Sequence, residues 1–387
     1  MKIALISHLY PTKLSPHYGK FIQDQFELLN NAPNIDADLI VPTPYSIPFT
    51  KRWGKNHSPL MCDSNKSTRL SYLSFPEKRY PKLIQRSLSG KLLDHLKGKD
   101  YDLIHIHWLF PDGLTLPTLR NLGIKTVITV HGGDWYLNIE DKVRSELIET
   151  SLQSTNRVLY SGPLLQNDIE QMYPDMREKS DVIYNMVDTD SYVPVLKKET
   201  LRKKIAWDTS KVHALTVANI RHEKGVDLLV DTISRNKKLA NIRFHIIGSP
   251  EATEYSNKIL KAISDNPFKN IELLPPVAPA ELIKFYQAAD FYILPSRREG
   301  FNVSILEAAS CGVPLLSTDV GGNKKIIDMG LGLLNPDIES LSASSILEMA
   351  DSYHKYDSEF LHQTIEKHFG KKAFLDRLAR NYNTVLS

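Results

Sequence analysis

Glu299 and Glu307 stand eight positions apart and bracket a segment that reads as a loop, a cap and a short helix. Gly300 frees the backbone to turn, Asn302 is suited to an N-cap, and the helix predicted over Val303–Ser310 is stopped by Gly312-Val313-Pro314. The first amides of such a helix, near Asn302, Val303 and Ser304, lack partners within the helix. They also carry the positive end of its dipole, so they can hold a diphosphate. Glu307 falls about one turn further on, where a carboxylate can accept two hydrogen bonds from the vicinal hydroxyls of a ribose on the same ligand. Glu299 would face the other end of the ligand, beyond the distal phosphate. Taken alone, a loop followed by an amphipathic helix ending in Gly-x-Pro is also what plain scaffold looks like.

The elements that must position these residues are legible as short runs rich in Ile, Val and Leu that do not alternate, the pattern of parallel strands buried on both faces. Strands are predicted at Lys2–Ser7, Asp38–Val41, Arg69–Ser74, Asp102–His107, Lys125–Val130, Arg157–Ser161 and Asp181–Tyr184. A second set follows at His213–Ala218, Phe244–Gly248, Ile271–Leu274, Phe291–Leu294 and Pro314–Ser317. Helical periodicity separates them, as at Gly19–Asn30, Arg144–Ser154, Gly225–Ser234 and Ala278–Ala288. Parallel strands need crossovers, so the chain is predicted to form two doubly wound α/β domains, at 1–190 and 205–370. The polar stretch Asp188–Lys204, containing Pro194, is the expected linker, and 371–387 a terminal helix packing back through Phe374, Leu378 and Tyr382. Ligands of such sheets bind beyond the carboxyl ends of the strands. No Gly-x-Gly-x-x-Gly fingerprint or Walker A loop follows any strand, which weighs against a nicotinamide dehydrogenase and a P-loop NTPase.

Composition narrows the class further. The 387 residues carry a formal charge of +3, yet from Lys51 to Asp100 there are twelve Lys or Arg against four Asp or Glu. Within this window Lys78, Arg79, Lys82, Arg86, Lys91, Lys97 and Lys99 interleave with Leu83, Ile84, Leu88, Leu92 and Leu96 at helical spacing. Such a helix either packs its leucine face on its own domain, lies on an anionic membrane, or binds an anionic polymer. Nucleic acid is disfavoured, since no zinc-finger spacing or aromatic ribonucleoprotein motif accompanies the charge. No run approaches the roughly 18 apolar residues of a spanning helix, and the N-terminal apolar run is too short for a signal peptide. Cys62 and Cys311 have no companion at metal or redox spacing, so a reducing cytoplasm is the expected compartment.

The stretch Arg298–Pro314 resembles the Glu-x7-Glu signature of glycosyltransferase family 4. Tyr292–Ser296 resembles the strand and Pro-Ser step before that signature, Gly321-Gly322 the Gly pair after it, and Gly330–Leu334 the Gly-x-Leu stretch. In the first half, Thr126–Asp134 resembles the strand leading to a His-Gly motif, and Tyr10–Phe21 the glycine-containing first loop. The resemblance implies the GT-B fold, two Rossmann-like domains facing across a cleft, and retaining transfer from a nucleotide sugar. It implies attack by the acceptor on the face from which the nucleotide diphosphate leaves, a phosphate oxygen helping to take the proton.

Site roles are implied in the same way. Lys224 neutralises the leaving diphosphate, Glu307 holds the ribose, Glu299 holds sugar hydroxyls, and His131 touches the donor sugar. Phe301, Asn302, Val303 and Ser304 line the donor site, and Gly19 lets the first loop approach the diphosphate or the acceptor closely. One position departs from the family: where its phosphate motif carries Arg, this chain has Asn219, with Arg221 two residues on as a substitute cation if the loop turns it inwards. His105 and His107 share a strand face but have no third ligand nearby in sequence, so no metal is expected. No cofactor is expected beyond the nucleotide-sugar donor. The acceptor is expected to be a saccharide, lipid-linked and used in surface-polysaccharide assembly at the inner face of the membrane, with contact through 51–100. The alternatives are a nucleotide-sugar epimerase of the same fold and a non-catalytic nucleotide-sugar-binding protein.

Overall fold

The computed structural model describes residues 1–16, 18–61 and 65–387, so Cys62 lies outside the described residues. Two compact units divide the chain, one of residues 1–184 with 375–387 and the other of residues 185–374.

The first unit is built on β1 (Lys2–Ile6), β2 (Asp36–Pro44), β3 (Ser67–Tyr72), β4 (Leu103–His107), β5 (Lys125–Val130), β6 (Arg157–Tyr160) and β7 (Ser180–Val182). All pair in parallel in the order β3-β2-β1-β4-β5-β6-β7. β4 is buried at every residue, as layers on both faces require. Helix Pro81–Leu96 seats Ile84, Leu88, Leu92 and Leu96 in the core beside Ile104, Ile106 and Ile128. Its leucine stripe is therefore used within its own unit, while Lys82, Arg86 and Lys91 face solvent; Leu83, predicted on the apolar face, is exposed. The last helix, Lys371–Leu386, contributes its residues from Leu375 onward to this unit. There Tyr382 is fully buried, its hydroxyl 2.7 Å from His105 Nδ1, and Asn381 accepts from Arg157 and donates to Asp181.

The second unit repeats the plan with β8 (Val212–Val217), β9 (Ile242–Ile247), β10 (Ile271–Leu274), β11 (Phe291–Leu294), β12 (Leu315–Thr318) and β13 (Gly332–Asn335), all parallel in the order β10-β9-β8-β11-β12-β13. Both units thus carry the strand order of a Rossmann-type sheet, reversing direction between β1 and β4 and again between β8 and β11. Two elements here differ from expectation. β13 was not predicted as a strand; its first residue, Gly332, lies so close to β12 that a Cβ would sit 1.9 Å from Leu315 O. The stretch expected as a linker belongs to the second unit and contains helix Lys198–Lys204. Its polar composition hides a buried anchor, Arg202, which pairs with Asp290 at 2.7 Å and donates to Ala288 O.

Candidate active site

In the second unit the loops after β8 and β11, the two strands at the reversal point, are stitched together. Gly225 sits at φ +63° against Pro295, where any Cβ would fall 1.8 Å from the Pro295 carbonyl oxygen. Glu223 O accepts from the backbone N–H groups of Arg297 and Arg298 at 2.8 and 3.2 Å. This close approach brings Lys224 to Glu299: the ammonium donates to both carboxylate oxygens at 2.8 Å. The Glu299 carboxylate also accepts from Ser296 Oγ at 2.6 Å and Asn302 Nδ2 at 2.9 Å, and is almost wholly buried. Gly321, at φ +57°, packs so tightly on Glu299 that a Cβ would lie 2.6 Å from the glutamate Cβ.

Asn302 caps helix Val303–Ser310, as its sequence position predicted, its Oδ1 accepting from Ser304 N at 2.9 Å and Ser304 Oγ at 2.7 Å. The Ser304 amide is thereby engaged by the cap. Glu307 lies on the same helix, and the buried Tyr286 hydroxyl donates to its Oε2 at 2.7 Å. Burial, reinforced by the Glu307 charge, holds that phenol well above its ordinary pKa, so it remains a donor. Tyr292, also buried, reaches Ser304 Oγ at 2.6 Å. The Phe301 ring stacks on Phe369 inside the unit and Val303 is partly exposed. Lys224, Glu299, Asn302, Ser304 and Glu307 are therefore brought together.

Asn219 and Arg221 are turned to other tasks. Asn219 Oδ1 accepts from Ser249 N at 3.1 Å, tying the ends of β8 and β9, and Arg221 pairs with Glu251 at 2.5 Å on the surface. Arg221 thus does not take the place of the missing loop arginine in this conformation. Tyr286, Tyr292, Ser296 and Gly321 were not singled out as site residues from sequence. The Gly pair at 321–322 stands out in the sequence, but nothing local says that it packs on Glu299.

In the first unit His131 follows β5. Its ring contacts Trp108 at 4.4 Å and Phe21 at 5.0 Å between centroids, and its Nε2 lies 2.9 Å from His107 Nδ1. His107 Nε2 is buried without a hydrogen-bond partner. A proton there would be an orphaned donor costing about 1–3 kcal/mol, so the proton between the rings belongs to His107 Nδ1. His131 then keeps its own N–H at Nδ1. Burial, with His8 adding to it, pulls the His131 pKa down to about 3, and the ring is neutral. Asp134 fixes the backbone here, accepting from His131 N at 3.0 Å and Leu109 N at 2.7 Å, and burial raises its carboxyl to about 6.

Gly19, at φ +77°, lies against the backbone of Leu9 and Tyr10, which a Cβ would meet at 2.6 and 2.9 Å. His105 is satisfied by Tyr382 and Thr129. Among the described residues no group of three or more His, Cys, Asp or Glu is placed to hold a metal ion, and no helix is long and apolar enough to cross a membrane.

Comparison with known proteins gives matches over most of the chain. The family described as Glycosyl transferases group 1 matches residues 197–359, and Glycosyltransferase Family 4 matches residues 62–191. An uncharacterised glycosyltransferase of Methanocaldococcus jannaschii is 27% identical over 243 residues, which span 62% of this chain and 62% of that protein. A Bacillus subtilis protein provisionally named as the teichuronic acid biosynthesis glycosyltransferase TuaC is 24% identical over 411 aligned positions, covering 100% of this chain and 99% of its own. Among solved structures, Anabaena HepE in complex with UDP superposes with a TM-score of 0.73 at 15% identity over 99% of this chain and 100% of that one, a likeness of fold.

Proposed function

Because the chain belongs to glycosyltransferase family 4, with two parallel-sheet domains of the GT-B type, we propose that it moves a sugar from a nucleotide-sugar donor to a saccharide acceptor with retention at the anomeric carbon. The observation that carries this reading is the Lys224–Glu299 pair where the strand order reverses, one helix-cap away from Glu307 held by Tyr286. The helix segment Asn302–Glu307 receives the nucleotide: Glu307 accepts the ribose hydroxyls, and Tyr286 keeps that carboxylate aimed. Lys224 turns from Glu299 to the diphosphate as charge develops on it, and Glu299, still braced by Ser296 and Asn302, accepts sugar hydroxyls. His131 offers a neutral N–H to the donor sugar. With Asn219 and Arg221 engaged elsewhere, Lys224 is the principal cation of the phosphate loop.

The acceptor class follows from coarser support. The similarity to TuaC runs the length of the chain and favours a saccharide acceptor in polysaccharide assembly; that this acceptor is lipid-linked and met at the inner face of a membrane through 51–100 is our reading of the basic window alone. No metal is required in this scheme, because Lys224 and the helix terminus take the charge that a cation would otherwise neutralise.

Glu299→Ala tests the site. It removes the sugar-facing acceptor and leaves Lys224 and the helix intact, so transfer is expected to fall at least about 100-fold while nucleotide diphosphate still raises the melting temperature. Full turnover by this variant sinks the assignment. The same assay run in EDTA is expected to proceed; activity that vanishes with chelator and returns with Mg2+ contradicts metal independence.

A further inference from the structure

Arg297, two residues before Glu299, spends nearly all of its hydrogen-bonding capacity around Lys224. The lysine lies in a single 3₁₀ turn, His222–Lys224, that has no side-chain cap. Turns this short hold their shape poorly by their own hydrogen bonds. Arg297 supports this one from outside at three points. Its backbone N–H donates to Glu223 O at 2.8 Å, its Nη1 donates to His222 O at 3.1 Å, and Nη1 and Nη2 together grip the two oxygens of Asp227 at 2.7 Å each. The chain is thus fastened both before Lys224 and after it. Tyr255 closes the bracket, its hydroxyl donating to Asp227 Oδ1 at 2.6 Å and its ring meeting that of His222 edge-on at 5.8 Å between centroids. Burial would raise the Asp227 carboxyl, but the hydrogen bonds from Arg297 and Tyr255 hold it below its ordinary pKa, so it stays an acceptor.

Arg297 is not itself placed to bind phosphate. Its Nε donates to Glu339 at 2.8 Å, in the loop after β13, which brings four of the five guanidinium N–H groups into use. The side chain is 10% exposed, and two carboxylates already face its one positive charge. Such a bidentate, fully committed fork supplies geometry and not charge. The phosphate loop needs that geometry, because Asn219 is tied to Ser249 and Arg221 to Glu251, which leaves Lys224 as its principal cation. An ammonium on a flexible four-carbon stem meets a diphosphate well only where its backbone is well placed.

We propose that Arg297 is the positioning residue of Lys224, setting through its grip on His222, Glu223 and Asp227 where that ammonium meets the donor diphosphate. The proposal rests on the transferase reading above and deepens it. Every group it invokes lies within the second unit.

The test needs neither acceptor nor turnover. UDP, GDP, ADP and TDP, each beside its monophosphate, are titrated calorimetrically, and the ratio of monophosphate Kd to diphosphate Kd reads what the second phosphate gains. For the nucleotide that binds, Lys224→Met is expected to lower this ratio about 10-fold or more. Arg297→Lys keeps the charge and loses the fork; it is expected to lower the ratio about 3–10-fold, with monophosphate binding within about twofold of wild type, and to change it less than about twofold when Lys224→Met is already present. Asp227→Asn releases the same grip from the other side, is expected to give the same pattern, and decides the matter should Arg297→Lys fail to fold. A wild-type ratio in these variants, even with a lowered melting temperature, marks Arg297 as scaffold and overturns its positioning role while the donor site stands. A loss that persists undiminished without Lys224 does the same. A wild-type ratio in Lys224→Met, or a wild-type protein that binds none of the four diphosphates, overturns the donor-site reading and this role with it.

Discussion

The buried histidines of the first unit tie its stability to pH. Burial lowers His105 and His131 to about 3 and His107 well below its ordinary value, with neighbouring rings adding to the effect. Each is depressed, so the unfolded chain binds more protons from about pH 6.5 downward, and the stabilisation present at neutral pH is lost as pH falls towards 3. Asp134 acts oppositely: raised to about 6, it takes up its proton first in the folded state and offsets one of the three between about pH 6 and 4. The expected outcome is a urea midpoint that drops from pH 7 to pH 5, with the slope reduced in His131→Gln by up to about 1.4 kcal/mol per pH unit. Stability that rises on acidification contradicts this. Chemistry-bearing residues of this kind were partly legible beforehand. Glu299 and Glu307 are suggested by type and spacing and Lys224 only by the family resemblance, whereas Tyr286 and Ser296 look like any helix or loop residue until the fold sets them against those carboxylates. The direction of Arg221 was equally hidden, because Glu251, which captures it, lies in the loop after a different strand.

At the level of elements, the basic window divides into two parts with different duties. Helix Pro81–Leu96 has its apolar stripe committed to the core, which leaves charge but no insertable face. The segment before it differs: helix Lys51–His57 buries no residue, Ile47 and Phe49 are 71% and 96% exposed, and the Phe49 and Trp53 rings lie 6.0 Å apart. No Asp or Glu occurs from Leu39 to Met61, while Lys51, Arg52 and Lys55 cluster here. Apolar rings among cations suit the interface of an anionic bilayer, each cation adding about 1 kcal/mol. For the proposed membrane contact the expected outcome is that vesicles of phosphatidylglycerol and phosphatidylcholine sediment the wild type and that the double change Ile47→Ser, Phe49→Ser releases most of it. Wild type remaining in the supernatant rejects the contact. The strand plan was readable from the Ile, Val and Leu runs, since burial on both faces enforces that composition. β13 escaped because Gly332 trades a side chain for backbone proximity, and helix Lys198–Lys204 escaped because its anchor is an ion pair.

On the scale of the molecule, Lys224 and the segment Asn302–Glu307, proposed to receive the nucleotide, fall within 185–374. A nucleotide diphosphate should therefore slow amide hydrogen exchange chiefly around 219–225 and 296–307, and at 100 times its Kd stabilise by about 2.7 kcal/mol. UDP, GDP, ADP and TDP form the panel; protection absent for all four, or concentrated in 1–184, would count against the donor site. The sharing of helix Lys371–Leu386 has a different consequence, for biosynthesis. Tyr382 and Asn381 complete the core and polar bonding of the first unit, yet they leave the ribosome after the whole of the second has been made. Nascent chains arrested before residue 375 would expose His105 and Arg157 without these partners, so the N-terminal half, though synthesised first, is the last to be finished.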